Sequence, residues 1–370
     1  PVTPEVPFLG GLVGVSGFDM VRRFEKLRVP DRPVDGHPEG AWFAPRTVLV
    51  FDHVSRRAAL LHDGTEEERQ SLRREVIAAL RGGVPYRRSG TSFTGPEPVM
   101  SAEQYMDGVE AVREYIRAGD CYQLVLSSAF TGTTDLDPFQ VYRALRLLNP
   151  SPYLFFFQLG DLAVVGSSPE ALVKLDGRQA TLRPIAGTRP RGRTDEEDKA
   201  LERELLADPK ELSEHVMLVD LARNDLGRVA VSGSVNVGPS AVVERYSHVM
   251  HIVSGVNGVL RPEFDALDLY ASAFPAGTLT GAPKIRAMEL ISELEPEGRG
   301  LYGGTVGYFG HDNTMDQAIT IRTIIFSGNQ YRYQAGAGVV ADSVPRNEHN
   351  EILAKGAAVG AALALAAEVG

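Results

Sequence analysis

Two pairs of glutamates, each pair separated by two residues, are the first feature of this sequence that could do chemistry. Glu211 and Glu214 lie in ELSEHVMLVDLARNDLGR, and Glu348 and Glu351 lie in NEHNE. Residues three apart share one face of a helix, so the carboxylates of a pair lie side by side. Such pairs at helix starts are usually solvated, and Glu211 could simply complete a capping box with Asp208. Four carboxylates that converge from two helices would, however, suit Mg²⁺, which prefers oxygen ligands and retains waters.

The segment RPIAGTRPRG, residues 183–192, is a second candidate site because it could bind an anion. It follows an alternating run, residues 171–182, that predicts a hairpin turning at an Asp-Gly pair. Gly187 can adopt a positive φ, and with Thr188 beside it the segment can present backbone N–H groups and a hydroxyl. The simpler interpretation is a tight turn with its arginines on the solvated side.

Two histidines, His248 and His251, lie three residues apart in YSHVMHIVSG. If this segment is a strand, the odd separation places the two side chains on opposite faces, so only one can point inward. A single inward histidine is more often a hydrogen-bonded core residue than a catalyst.

These segments, together with GSSPE at 166–170 and PAGT at 275–278, resemble the chorismate-utilising enzymes, most closely component I (the large subunit) of anthranilate synthase. The resemblance is dense over about residues 96–365 and weaker over 7–61. It implies an α+β fold in which two large antiparallel β-sheets stack as a sandwich with helices packed outside. It places the active site between the sheets.

The resemblance assigns a role to each glutamate of the two pairs. The second member of each pair binds Mg²⁺ in this family, which gives Glu214 and Glu351 as ligands. The first members, Glu211 and Glu348, hold the waters of the metal. The metal then binds the ring carboxylate of chorismate.

Chorismate carries two carboxylates, so its site also needs a cation and backbone donors. Arginine suits a planar carboxylate because its guanidinium can bind both oxygens. The residues that the resemblance implies for substrate binding are Gly187, Thr188, Tyr302, Arg322, Gly336, Ala337 and Gly338.

The resemblance also implies the catalytic groups. Glu170 would protonate the hydroxyl that leaves carbon 4 of the ring, a role that requires a pKa raised by burial. The alternative for Glu170 is a carboxylate in a turn at a strand end. His251 would assist the final loss of pyruvate, and Thr278 would reach the substrate. His248 is then structural or on the surface.

Two positions narrow the reaction. Ala186 stands where aminodeoxychorismate synthases commonly have a lysine that attacks the ring. Gln123 stands where isochorismate and salicylate synthases have a lysine that activates water, and an amide cannot act as a base at neutral pH. Ammonia therefore remains as the nucleophile at carbon 2, and elimination of pyruvate gives anthranilate.

Three alternatives stay open. A 2-amino-2-deoxyisochorismate synthase would stop before pyruvate is eliminated, and an aminodeoxychorismate synthase component I is the second alternative enzyme. A catalytically silent homologue would only bind a carboxylated ligand or a partner. The silent homologue is disfavoured because every acidic, basic and glycine position that the chemistry needs is filled.

The resemblance also implies a partner and an inhibitor. The family obtains ammonia from a glutamine amidotransferase subunit, which predicts a separate partner (component II) and a hetero-oligomer. Pro152 and Tyr153 match part of the family's tryptophan site. The serine-containing N-terminal part of that site is not in this sequence, which predicts a trimmed chain or a short, deregulated form.

The elements that must position these residues can be predicted from spacing. Long strands with short turns, interrupted by a few helices, favour α+β with antiparallel sheets. The Gly/Pro/Ser-rich segment 82–99 predicts a linker. We therefore predict an N-terminal subdomain and linker over residues 1–95 and a chorismate-binding catalytic domain over 96–370. Helices are predicted over 65–81, 101–118, 138–147 and 194–228, with a helix start at 208–209, and from about 283 and 345, and a hairpin over 151–168.

Composition excludes several classes of protein. A net charge of −10 over 370 residues argues against a nucleic-acid binder. No apolar run approaches the ~20 residues that span a bilayer, which predicts no membrane segment. The single cysteine, Cys121, excludes an internal disulfide framework and is typical of a protein of the reducing cytoplasm.

Overall fold

The computed structural model describes residues 6–34, 36–83, 90–246 and 249–369, so His248 and residues 84–89 of the predicted linker lie outside the described residues. The described strands are β1 (Gly11–Ser16), β2 (Gly40–Phe43), β3 (Thr47–Asp52), β4 (Arg57–His62), β5 (Glu97–Pro98), β6 (Gln123–Thr133), β7 (Tyr153–Leu159), β8 (Leu162–Ser168), β9 (Ala171–Asp176), β10 (Gln179–Leu182), β11 (Ile185–Pro190), β12 (Asn236–Val237), β13 (Val242–Arg245), β14 (Val249–Val253), β15 (Val256–Val259), β16 (Gly281–Ala282), β17 (Thr305–Gly310), β18 (Met315–Ile319), β19 (Thr323–Ser327) and β20 (Gln330–Val339). The described helices are a 3-10 helix (Phe18–Arg23), α1 (Glu66–Arg81), α2 (Ala102–Ala118), α3 (Pro138–Leu148), α4 (Asp195–Ala207), α5 (Pro209–Gly227), α6 (Ala266–Ala273), α7 (Gly277–Thr280), α8 (Lys284–Leu294) and α9 (Pro345–Val369).

Two large antiparallel sheets contain most of the described strands. The first has the order β12-β15-β10-β9-β18-β17-β1-β2. The second has the order β16-β6-β20-β19-β8-β7, with β5 paired to β6. A three-stranded sheet, β11-β14-β13, carries the segment around Gly187 next to the strand of His251. Strands β3 and β4 form a separate hairpin.

The two large sheets pack face to face through an apolar cluster. Val15 and Val306 from the first sheet meet Phe157, Val164 and Ile325 from the second. The opposite face of the second sheet is covered by α2, α3 and α9, and the opposite face of the first sheet by α5 and α6. This sandwich of two antiparallel sheets with helices outside confirms the α+β fold class.

The N-terminal segment shares a sheet with the rest of the chain. Strand β1 pairs with β17 over six residues, and β2 pairs with β1 at the edge of the sheet. The end of the predicted linker, β5, pairs with β6 in the other sheet. The division at residue 95 stays a prediction.

The predicted helix starts at residues 65 and 101 agree with the capped starts of α1 and α2. The side chains of Thr65 and Glu68 form a reciprocal capping box at α1, and those of Ser101 and Gln104 form one at α2. The stretch 194–228, predicted as one charged helical stretch, is two helices. Asp208 lies between them in extended backbone, with φ −78° and ψ 110°, and caps the second helix. A proline at the first helical position favours this restart.

The segment 183–192 is not a tight turn. It forms β11, and its pairing with β14 shifts register between Ala186 and Arg189. Arg189 does not lie on a solvated side, because only 18% of its side chain is exposed and it binds Glu204, Asp208 and Glu211. The bulge turns the arginine toward carboxylates of α4 and α5.

Helix α9 is long and apolar enough to cross a membrane by length and composition, although no such run was expected from the sequence. One third of the most apolar 18-residue segment of this helix is buried within the protein. Ile352, Val359 and Leu363 on this helix pack into the core cluster against the second large sheet. The apolar face of α9 is therefore used within the fold.

Candidate active site

Glu170 is a buried carboxyl group between β8 and β9. Only 9% of the residue is exposed, and its Oε1 accepts a hydrogen bond of 3.0 Å from Thr278 Oγ1. Burial raises the pKa of Glu170 to about 8, although the Thr278 hydrogen bond and the Arg322 charge act to lower it. Glu170 and Thr278 both line a cavity of about 40 Å³. At neutral pH this carboxyl is protonated, the state that a general acid requires.

Arg322 is the charged group of the site that lies close to this acid. Among the described residues, none forms a hydrogen bond or salt bridge with its side chain, and burial lowers its pKa. Its charge acts on both Glu170 and His251. Its backbone is left-handed, with φ 50°, a strained conformation that is common at functional sites. A desolvated guanidinium without a protein partner is a binding group for a carboxylate.

His251 lies on β14 with only 8% of the residue exposed. Its Nδ1 lies 2.9 Å from the carbonyl oxygen of Gly187 and 3.0 Å from Thr188 Oγ1. A carbonyl can only accept, so Nδ1 carries the hydrogen and Nε2 is the basic nitrogen of the neutral ring. Burial lowers the pKa of His251, which keeps the ring neutral. His251 is therefore a candidate base.

Gly187 provides the backbone conformation that brings this group together. Its φ is 64°, and a Cβ at this position would lie 2.9 Å from Leu205 Cδ1 and 3.1 Å from Glu211 Oε2. A side chain would therefore be strained and would also clash. The bulge thus joins the start of α5 to the strand of His251.

Glu214 and Gln123 meet on the other side of the site. Gln123 Nε2 donates to Glu214 Oε1 at 3.3 Å. Burial raises the pKa of Glu214, and the like charges of Glu211 and Glu351 raise it further. A Cβ on Gly338 would lie 2.6 Å from Gln123 Nε2, so glycine is required for the amide to lie against β20.

The two glutamate pairs are near enough for the charge of Glu351 to raise the pKa of Glu214, but they form no complete metal centre in the described residues. Within the described ranges, no three His, Cys, Asp or Glu side chains are grouped to hold a metal ion. Glu211 binds Arg189 at 3.2 Å, and Glu351 binds Lys355 at 2.7 Å. Burial also raises the pKa of Glu348. The four carboxylates expected to converge are thus partly neutralised by cationic side chains.

The residues nevertheless fit a divalent cation. Nothing in the described part of the chain forms an ion pair with Glu214. Burial raises its pKa, the charges of Glu211 and Glu351, which a cation would offset, add to this, and the charge of Lys210 opposes it. Mg²⁺ is usually held by one or two carboxylates together with substrate oxygens and waters, not by a cage of protein ligands. Glu214 and Glu351 suit that mode of binding.

Tyr302 and the glycines of β20 form the third side of the site. Burial raises the pKa of Tyr302, so its hydroxyl stays protonated and can donate a hydrogen bond. A Cβ on Gly336 would lie 2.8 Å from that hydroxyl. Ala337 is fully buried in the core, its backbone included, and its substrate-binding role stays a prediction. Lys355 Nζ donates to the Gly336 carbonyl at 2.9 Å.

Sequence reasoning missed Lys355 and Arg189. The signal for Lys355 was available, since it follows Glu351 by four residues on one helical face. Tyr153 forms a separate group, in which its hydroxyl donates to Asp316 at 3.1 Å and Asp316 binds Lys174 at 2.7 Å. The tryptophan site at Pro152 and Tyr153 stays a prediction.

A sandwich that carries a buried acid, a guanidinium without a partner in the described residues, and two pairs of glutamates is typical of an enzyme for carboxylated substrates. Residues 2–360 match the family model of the chorismate binding enzymes. The chain is 48% identical to anthranilate synthase component 1 of Acinetobacter calcoaceticus in an alignment of 371 positions that covers 96% of this chain and 75% of that protein. The chain belongs to the chorismate binding enzymes, and this confirms the resemblance drawn from its motifs.

Solved structures refine the comparison within the family. The crystal structure of anthranilate synthase component I from Streptococcus pneumoniae has a TM-score of 0.88 at 39% identity and covers 97% of this chain and 82% of that one. MenF, the menaquinone-specific isochorismate synthase from Escherichia coli, has a TM-score of 0.77 at 25% identity. Its match covers 97% of this chain and 80% of that one. The chain is thus more similar to the anthranilate synthase component than to this isochorismate synthase.

Proposed function

We propose that this chain acts as an anthranilate synthase component I and catalyses the first step of tryptophan biosynthesis. The reaction converts chorismate and ammonia into anthranilate, pyruvate and water. The observation that carries the proposal is the buried carboxyl of Glu170, protonated at neutral pH, bonded by Thr278 and close to the guanidinium of Arg322. The identity of 48% to a relative of that name supports the same reaction.

The proposed chemistry has two stages. In the first, the ammonia nitrogen bonds to carbon 2, the ring double bonds shift, and the hydroxyl on carbon 4 leaves as water after receiving the Glu170 proton. The proton that the new ammonium group gives up restores Glu170. In the second, His251 takes the proton of carbon 2 through Nε2, the bond from carbon 3 to the enolpyruvyl oxygen breaks, and the ring becomes aromatic. The enolpyruvate that leaves takes up this proton and becomes pyruvate. Gln123 and Ala186 supply no competing nucleophile or base.

Substrate binding uses the three sides of the site. The Arg322 guanidinium binds one carboxylate of chorismate. Glu214 and Glu351 would hold Mg²⁺, and the bound ion would supply positive charge for the other carboxylate of chorismate. The orientation of the substrate is fixed by the Tyr302 hydroxyl and by the backbone at Gly187, Thr188, Gly336 and Gly338.

We also propose that a separate glutamine amidotransferase subunit supplies the ammonia, and that the complex works in the cytoplasm. The name component 1, carried by the relatives, supports the existence of a second component. A single cysteine, buried at Cys121, is consistent with a reducing compartment.

Product analysis tests the proposed reaction. The purified chain with chorismate, Mg²⁺ and excess ammonium at alkaline pH is expected to form anthranilate and pyruvate in equal amounts, read by fluorescence and mass spectrometry. An aminated product without pyruvate would instead identify a 2-amino-2-deoxyisochorismate synthase. A failure to consume chorismate, both with ammonium and with an amidotransferase subunit plus glutamine, would support the silent homologue.

Substitution of Arg322 by methionine tests carboxylate binding. We expect kcat/KM for chorismate to fall about 10²- to 10³-fold, since loss of a desolvated charge partner costs about 2–5 kcal/mol. The melting temperature should stay equal or rise, because the variant no longer buries an unpaired charge. The matched control is Arg23→Met, which removes an arginine whose side chain is 67% exposed and paired to Glu39. Equal losses in both variants would contradict this role.

A further inference from the structure

A buried ion pair beneath the site has no role in the chemistry described above. Arg299 and Glu295 have side chains only 2% and 3% exposed. Arg299 Nε lies 2.9 Å from Glu295 Oε2, and Arg299 Nη2 lies 2.6 Å from Oε1, so the contact is bidentate. Such a pair is a weak source of net stability, because desolvation of both charges offsets their attraction. Its contacts suggest a different purpose.

The guanidinium also binds two backbone carbonyls that belong to different parts of the site. Arg299 Nη1 donates to Leu279 O at 2.6 Å, one residue beyond Thr278. Arg299 Nη2 donates to Val125 O at 2.8 Å, two residues beyond Gln123. One side chain therefore fixes α7, which carries the partner of Glu170, against β6, which carries the partner of Glu214.

The carboxylate of Glu295 extends these contacts to β20. Its Oε1 accepts hydrogen bonds from the backbone N–H of Ser127 at 2.9 Å and from Ser127 Oγ at 2.7 Å. Ser127 is the residue opposite Gly336 in the pairing of β6 with β20. Ser127 Oγ also accepts from Gln334 Nε2 at 2.8 Å. The pair thus holds the strand that carries the predicted substrate-binding glycines.

Tyr302 is a predicted site residue that the pair contacts directly. The guanidinium carbon of Arg299 lies 5.6 Å from the centre of the Tyr302 ring. The Tyr302 N–H donates to Arg299 O at 3.1 Å. Cation and ring are both buried, where such an attraction is strongest.

We infer that the Arg299–Glu295 pair is a positioning element that fixes Thr278, Tyr302 and the β6–β20 strand pair relative to one another. This inference rests on the proposed function, which makes those elements the walls of one site. Neither residue touches the substrate in this scheme. The pair acts through the residues it holds, and a displacement of about 1 Å at such a site can cost about 10²-fold in rate.

Arg299→Lys tests the inference, with Arg178→Lys as the matched control. Lysine keeps the charge but loses the planar fork. Arg178 is half-buried and also binds backbone carbonyls, those of Leu260 and Arg261, which carry no predicted site residue. We expect Arg299→Lys to lower kcat about 10²-fold with a smaller change in KM, and Arg178→Lys to leave kcat within about 2-fold, at similar losses of melting temperature. Equal kcat effects in both variants would overturn the inference.

Glu295→Gln is the second variant, because it keeps the size and one acceptor of the side chain while it removes the charge. We expect the same selective loss of kcat. If neither Arg299→Lys nor Glu295→Gln yields folded protein, the pair is a folding element and the inference is wrong.

Amide hydrogen exchange separates this inference from the proposed function. Residues 123–127 and 277–281 should exchange faster in Arg299→Lys than in the wild type, and should not change in Arg178→Lys. This readout needs no turnover. Unchanged exchange in Arg299→Lys would overturn the positioning role even if the wild type makes anthranilate, and absence of anthranilate from the wild type would refute only the function.

Discussion

Glu170→Gln is expected to lower kcat by about 10²- to 10⁴-fold, the range that general acid catalysis contributes. Glutamine keeps the shape of the carboxyl and can still accept the hydrogen bond from Thr278, but it cannot give up a proton. The measurement is the steady-state formation of anthranilate at saturating chorismate and ammonium. A variant that retains turnover within about 10-fold would show that the hydroxyl leaves without this acid.

The pH dependence of the wild type provides an independent check on Glu170. Its pKa of about 8 lies above its ordinary value of 4.5, so the reactive protonated form is lost as pH rises through about 8. At constant concentration of free ammonia, kcat/KM should fall above that pH. The Thr278 hydrogen bond lowers the pKa of Glu170, so Thr278→Val should move this fall to higher pH. The residual turnover of Glu170→Gln should not show this fall of kcat/KM above about pH 8.

The free energy of unfolding should fall as pH rises and Glu170 loses its proton. A folded-state pKa above the ordinary value means that the stability contributed by the protonated carboxyl is complete below about pH 4.5 and is lost as pH rises through about 8. Glutamine stays neutral, so Glu170→Gln should melt at a higher temperature than the wild type at pH 9. The two should converge at pH 5. A constant difference at both values would contradict the burial of a titrating carboxyl.

Glu214→Gln is expected to lower turnover about 10²- to 10³-fold, because a bound metal ion can contribute several kcal/mol of charge stabilisation. Of the two candidate ligands, Glu214 has no ion pair in the described residues. The glutamine side chain of the variant removes the charge that a cation would bind. Stability should not fall, since burial and the like charges of Glu211 and Glu351 already raise the pKa of Glu214. The measurement is turnover as a function of Mg²⁺ concentration.

A binding readout accompanies this prediction. Mg²⁺ with chorismate should raise the melting temperature of the wild type, because a ligand bound to the folded state stabilises it. Glu214→Gln should lose that shift, and Glu202→Gln, which removes a carboxylate paired with Arg245 outside the site, should keep it. If Glu214→Gln keeps both the shift and the turnover, the ligand assignment is wrong, while the proposed reaction is still judged by the products of the wild type.

The sequence alone determined the elements whose bonds are local. The capping boxes of α1 and α2 each join residues three apart, and the hairpins follow from alternation and turn residues, so spacing was sufficient. The motifs also identified the family, because several long segments fall in one order along the chain. The break between α4 and α5 was marked by Asp208 and Pro209, although the whole stretch was first predicted to be helical.

Only the tertiary structure decided which groups are charged and what they contact. Glu170 is an acid near pH 8 because the fold removes it from water and brings Thr278 to it across 108 positions of sequence. Arg189 binds three carboxylates because a bulge in β11 turns it inward, and Arg299 is buried under the site by contacts from three elements. Desolvation and long-range contact set these properties, and neither depends on the neighbours of a residue in the chain.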